Sequence, residues 1–177
     1  MTPLTLKGKK CAMLVEEGFE DLELWYPVIR LREEGAEVVL VGSGSATTYR
    51  GKYGLSAVPD VTAGEVTADE FAAVLVPGGW APDKLRRYPA VLELVAAAYN
   101  KGKIIAAICH APWVLISAKI LPGHTITCVS AIKDDVENAG AKYVDAEVVK
   151  SGNIITSRTP ADLPAYCREI ISALREQ

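Results

Sequence analysis

No apolar run in the chain approaches the roughly 20 residues that a membrane-spanning helix needs. Nor is there a basic excess: 19 Lys and Arg stand against 22 Asp and Glu, a formal charge of −3. The first absence argues against a membrane partner, the second against a nucleic-acid or anionic-lipid partner. The opening stretch MTPLTLKGKKCAMLVEEGFE lacks the basic, apolar and small-residue order of an export signal. The expected compartment is the cytoplasm. The cysteines (Cys11, Cys109, Cys128 and Cys167) lie far apart and include no C-x-x-C pair. A disulfide framework is therefore not expected. Structural zinc is not expected either, because ligand pairs at metal spacing are missing. No metal and no cofactor enter the reading. The loop Gly42-Ser43-Gly44-Ser45 lacks the third glycine and the following amphipathic helix of a dinucleotide site, and a Walker A lysine is absent. That loop reads as a turn.

What is present is the composition of one globular domain, residues 1–177, half hydrophobic and 23% charged. Short β-branched runs at Cys11–Val15, Glu37–Val41, Ala73–Val76, Lys103–Ile108 and Thr125–Val129 alternate with helical segments. Several runs are apolar on both faces, as parallel strands covered by helices are. Val144–Lys150 and Asn153–Ser157 flank Ser151-Gly152 and predict a hairpin. Asp21–Glu34 predicts a helix burying Leu22, Trp25, Val28 and Ile29, capped by Gly35, with either a kink at Pro27 or a later start there. Pro89–Lys101 predicts another, ending at Gly102. Thr67-Ala68-Asp69-Glu70 carries a capping box, and Thr159-Pro160 opens the last helix. The order predicts an α/β fold: a flavodoxin-like three-layer sandwich, mostly parallel, with helices on both faces and a C-terminal hairpin.

In such sheets the functional crevice lies at the carboxyl ends of the strands. Cys109-His110-Ala111-Pro112 sits there, between a buried strand run and a helix starting around Pro112. A nucleophile placed on a tight strand-to-helix turn faces backbone N–H groups able to hold an oxyanion. A helix N-terminus beside a thiol lowers its pKa, and His110 supplies a base or proton carrier. Cys11, Cys128 and Cys167 fall in strand or helix interiors and read as core. His124 follows Pro122-Gly123 at the opposite end of the sheet and reads as structural. Glu16 and Glu17 read as loop charges.

Here the sequence resembles the PfpI-type intracellular proteases, within the superfamily of the Parkinsonism-associated deglycase. The resemblance is carried by GFEDLELWYP (18–27), LVPGGWAPDKLR (75–86), AAICHAPWVLISA (106–118), AIKDDVENAGAKYVDAEVV (131–149) and SRTPADLPAY (157–166). It implies that Cys109 is the nucleophile and that Glu20 is the buried carboxyl touching its sulfur. It further implies Gly79 and the His110 N–H as oxyanion donors, with Gly78 and Trp80 beside them, and His110 as the catalytic histidine. In the protease branch a neighbouring subunit's glutamate orients that histidine. Asp83, a methylene shorter, stands at that position, Trp80 replaces an arginine, and CHAP replaces CHGP. Taken alone, Asp83 reads equally well as a helix N-cap after Pro82.

Three functions compete. The first is a glyoxalase-III-like or deglycating enzyme acting on small reactive carbonyls through a hemithioacetal on Cys109. The second is a cysteine peptidase cleaving small peptides. The third is a non-catalytic redox sensor or chaperone-like stress protein. The carbonyl enzyme is favoured, as a homodimer or larger assembly with the active site near the subunit interface.

Overall fold

A computed structural model describes residues 5–177 of the chain. The apolar runs become β1 (Lys10–Val15), β2 (Glu37–Gly42), β6 (Ala73–Val76) and β7 (Ile104–Ile108). Between β2 and β6 lie three two-residue strands, β3 (Tyr49–Arg50), β4 (Ser56–Ala57) and β5 (Val61–Thr62). Further along come β8 (Thr125–Ile126), β9 (Lys142–Tyr143), β10 (Val149–Ser151) and β11 (Ile154–Ser157). The central sheet has the order β10-β11-β7-β6-β1-β2-β5. Among the described residues only its β10–β11 pair, the C-terminal hairpin, is antiparallel. β1, β6 and β7 are apolar along nearly their whole length because both faces of the sheet are covered.

The helices are α1 (Asp21–Glu33), α2 (Ala81–Leu85), α3 (Pro89–Asn100), α4 (Pro112–Ser117), α5 (Lys133–Asn138) and α6 (Leu163–Arg175). The chain crosses from β1 to β2 in one direction and from β6 to β7 in the other. Right-handed crossovers then put α1 and α3 on opposite faces. α6 joins α1 on its face. This is the flavodoxin-like three-layer sandwich. Pro27 is accommodated inside α1, which ends at Glu33 with Glu34 as its C-cap and Gly35 following at φ +93°. The capping box on Thr67 forms over a short 3-10 turn, Ala68–Glu70, rather than a full helix.

Three expectations need correcting. α1 buries Leu24, Val28 and Leu31, while Leu22 (55%) and Ile29 (64%) stay exposed. β8 covers only two residues of its run and pairs with β9 outside the central sheet. β10 begins at Val149, because Val144 N–H is already bonded to Ile126 O (3.0 Å).

Candidate active site

The carboxyl ends of β1, β6 and β7 release three loops that meet in one crevice. Cys109 forms the turn after β7 with φ +62°, a left-handed conformation that a residue with a Cβ seldom adopts. Its N–H donates to Ser157 O (3.0 Å), its carbonyl accepts from Val129 N–H (3.2 Å), and Ala111 N–H closes the turn onto Ile108 O (2.9 Å). Neighbours on both sides therefore hold the strained backbone in place. Cys109 is left half-buried, whereas Cys11, Cys128 and Cys167 are buried and all four thiols are free.

The loop after β6 is stitched to the loop after β1. Phe19 and Gly79 form an antiparallel bridge, Glu20 N–H donates to Gly78 O (3.0 Å) and Trp80 N–H donates to Gly18 O (2.8 Å). Gly79 sits at φ +79°, and a Cβ there would lie 2.5 Å from both Glu20 N and Gly18 O. Glycine is required by conformation and by space alike. In this position the N–H groups of Gly79 and His110 reach the Cys109 sulfur. A site that binds a negative sulfur through two N–H donors can also hold an oxyanion formed beside it.

The carboxyl against the sulfur belongs to Glu23, not Glu20. Glu20 is the N-cap of α1, and its Oε2 accepts from Glu23 N–H (2.8 Å), which directs it to the helix end. Glu23, one turn in, is only 1% exposed and its Oε2 accepts from Gly78 N–H (2.8 Å). A Cβ on Gly78 would strike that Oε2 and lie 2.7 Å from Cys109 Cβ, so carboxyl and cysteine crowd the same glycine. Glu23 Oε1 is buried with no hydrogen-bond partner among the described residues, which suits an oxygen that carries a proton.

Burial, reinforced by the charge of Glu20, pushes the Glu23 carboxyl up to about 8. Burial also pushes the Cys109 thiol up to about 12, and a charged Glu23 adds to the rise, while the Gly79 and His110 N–H groups pull it down. The expected net lowering is not found, because burial is the largest influence on the thiol. The other three thiols are likewise pushed up to about 12, by burial without any N–H donor. The distinction of Cys109 lies in its donors, its half-exposed position and its base. His110 Nδ1 stands 3.3 Å from Sγ. Burial and the positive charge of Lys52 push His110 below its ordinary value, so it is neutral at pH 7 and able to take the thiol proton.

The remaining expected site residues do not converge on the sulfur within one chain. Asp83 is the third residue of α2, whose N-cap is Trp80, so the N-cap reading fails as well. Its carboxylate is half-exposed and accepts from Arg87 Nη2 (2.6 Å), and it makes no bond to His110. The His110 ring instead lies 5.2 Å from the Trp113 ring. Trp80 is 61% exposed and lies over Gly18 at the rim. His124 links Tyr99 Oη (2.7 Å) to Ser151 Oγ (3.1 Å), away from the crevice. Glu16 is no loop charge: it is buried, and it accepts from Ser43 Oγ and from Ser45 Oγ (2.7 Å). Among the described residues no group of His, Cys, Asp and Glu could hold a metal ion.

Sequence reasoning missed Glu23 and Lys52. The signal for Glu23 was present in Glu20-Asp21-Leu22-Glu23, where a cap at the first position commits its own carboxylate and leaves the fourth free to turn inward.

A flavodoxin-like sheet that holds one cysteine in a strained turn above its carboxyl edge defines a class of cysteine-centred α/β proteins. Within that class the chain belongs to the DJ-1/PfpI family, whose model matches residues 9–173. It is similar to deglycase TK1284 of Thermococcus kodakarensis, at 45% identity over 166 residues, 94% of this chain and 99% of that one. It is similar to protein/nucleic acid deglycase 2 of Escherichia coli, at 42% identity over 169 residues, 94% and 98% of the two chains. Among solved structures, Drosophila melanogaster DJ-1β superposes with a TM-score of 0.89 at 29% identity, covering 96% of this chain and 91% of that one.

Proposed function

We propose that the chain is a cysteine-dependent enzyme of the deglycase type, acting on small reactive carbonyls with Cys109 as nucleophile. The observation that carries this reading is His110 Nδ1 3.3 Å from Sγ, with the Gly79 and His110 N–H groups on the same sulfur. As Sγ bonds to an aldehyde carbon, neutral His110 takes the thiol proton and the carbonyl electrons move to oxygen. The two N–H groups hold that oxygen until His110 returns the proton, giving a hemithioacetal. With a dicarbonyl, the hydrogen on that carbon moves to the neighbouring carbonyl carbon and leaves a thioester. Water then releases a hydroxy acid and restores the thiol. Glu23, neutral at pH 7, faces the sulfur without repelling it. The relatives named deglycases support the same reading.

Amide hydrolysis asks for more, because a poor amine leaving group must be protonated by a well-oriented histidine. Among the described residues of one chain no carboxylate is bonded to His110, and Asp83 is engaged by Arg87. The test is purified protein assayed with methylglyoxal and with a fluorogenic peptide, beside Cys109→Ser. Cysteine-dependent loss of methylglyoxal with weak peptide cleavage is the expected result. Peptide cleavage abolished by Cys109→Ser, with methylglyoxal stable, would reverse the assignment.

The working protein in this proposal is a homodimer or larger assembly. Leu22, Tyr26 and Ile29 line an exposed apolar stripe on α1, a surface that a second copy would cover. A neighbour's Trp80–Asp83 segment would then approach Cys109. Four free thiols fit a reducing compartment, the cytoplasm.

A further inference from the structure

Lys52 makes no ion pair with any carboxylate among the described residues. It is nevertheless held at the rim of the crevice. Its N–H donates to Phe19 O (2.7 Å), and Phe19 is bridged to Gly79, the donor at the sulfur. The turn that carries it is clamped by the buried Asp21 carboxylate, which accepts from Tyr53 N–H (2.8 Å) and Leu55 N–H (2.7 Å). Gly51 packs so tightly on that carboxylate that a Cβ would collide with it. Lys52 Nζ stands between two exposed rings, 5.4 Å from the Tyr53 centroid and 5.5 Å from that of Trp80. Aromatic faces hold an ammonium by its charge and displace part of its water while leaving its donors unused. The charge also acts inside the crevice, where it lowers the titration of both His110 and Glu23.

An unpaired, positioned cation at the mouth of an electrophile-binding site is a selector for anions. We propose that Lys52 is a specificity residue which recognises carbonyl substrates bearing a carboxylate, holding that carboxylate at the Trp80–Tyr53 rim while Cys109 adds to the carbonyl carbon. The proposal rests on the carbonyl-enzyme reading above and names its substrate class. A compound whose aldehyde and carboxylate are adjacent would carry its negative charge beside the sulfur once the carbon is bonded, in the crevice where the Lys52 charge already acts on His110 and Glu23.

Glyoxylate is the probe. Sγ adds to its aldehyde carbon, the C=O electrons move to oxygen and the thiol proton follows, giving a hemithioacetal. The neighbouring carbon is already a carboxylate and cannot accept the hydrogen shift, so the adduct stops there and reverses. Glycolaldehyde is the neutral comparison. The measurement is protection of Cys109 from iodoacetamide, mapped to the Cys109 peptide, against rising concentrations of each aldehyde at constant ionic strength. In Lys52→Met the glyoxylate concentration for half-protection should rise about tenfold, as loss of a bond between charged groups implies. That for glycolaldehyde should change less than about twofold, since it offers no partner to the lost charge. Lys52→Arg should retain most of the preference, and added salt should weaken it in the wild type.

An unchanged glyoxylate value in Lys52→Met would overturn the proposal. So would an equal shift for both aldehydes, which would mean that Lys52 acts on the thiol and not on the ligand. Methylglyoxal turnover by the wild type is read separately. Its absence would sink the carbonyl-enzyme reading, while the alkylation ratio would still decide whether Lys52 binds a carboxylate.

Discussion

A carboxyl pushed from 4.5 to about 8 keeps its proton in the folded protein where the unfolded chain has already lost it. Between those values the folded state binds one proton more than the unfolded state, so stability falls as pH rises. The contribution of Glu23 is full below about 4.5 and gone above about 8, with a slope of at most about 1.4 kcal/mol per pH unit. Thermal unfolding across this window should show the decline, and Glu23→Gln should flatten it. The same proton bears on turnover. Activity should rise as His110 becomes neutral, at a pH below its ordinary value, and fall as Glu23 ionises around 8. A profile still rising at pH 9 would assign the thiol proton to another group. Glu23→Leu should slow alkylation of Cys109 more than Glu23→Gln, because the amide keeps a donor near the sulfur. Glu20→Ala should instead cost about 1 kcal/mol of stability through the lost cap. Cys109 and His110 could be read from their place between a buried strand and a helix. Glu20 and Glu23 could not be told apart by residue type, because which one turns inward depends on the residue that caps α1.

The elements were legible where burial is two-sided, and less so where the chain is only half covered. β1, β6 and β7 announce themselves as unbroken apolar runs, and their positions alone locate the crevice. The inward face of α1 is not legible in the sequence because the helix carries two apolar stripes, and only the packing of β1, β2 and α6 decides that Leu24, Val28 and Leu31 go inward. Thr125–Val129 looks like a core strand, yet its ladder is taken by β9 and its amides by side chains such as Thr156 Oγ1, which accepts from Thr127 N–H (2.9 Å). The turn after β6 is the most demanding element. Gly78→Ala would place its methyl against Cys109 and Glu23, and Gly79→Ala would force the loop off the Phe19 bridge. Both substitutions should abolish methylglyoxal turnover. Gly79→Ala should in addition cost stability, on the order of 1–3 kcal/mol for strain at positive φ, read from denaturant unfolding.

For the whole molecule, the exposed stripe of Leu22, Tyr26 and Ile29 makes self-association the expected state in solution. Sedimentation at micromolar concentration should give a dimer or larger species, and Ile29→Glu should shift it towards the monomer. If Asp83 serves a neighbour's His110, Asp83→Glu should raise peptide cleavage without raising methylglyoxal loss. A wild-type monomer would remove both expectations. The reactive turn has a further dependence on the order in which the chain is made. Cys109 is held by Ser157, and β11, which carries Ser157, can pair beside β7 only after the segment between Cys109 and Ser157 has been made. A polypeptide that has not yet reached Ser157 therefore lacks one of the bonds that hold Cys109 in its turn. The strained turn gains this support only once β11 has been made and has paired with β7, so a nascent segment that stops short of Ser157 lacks the bond that fixes the Cys109 amide.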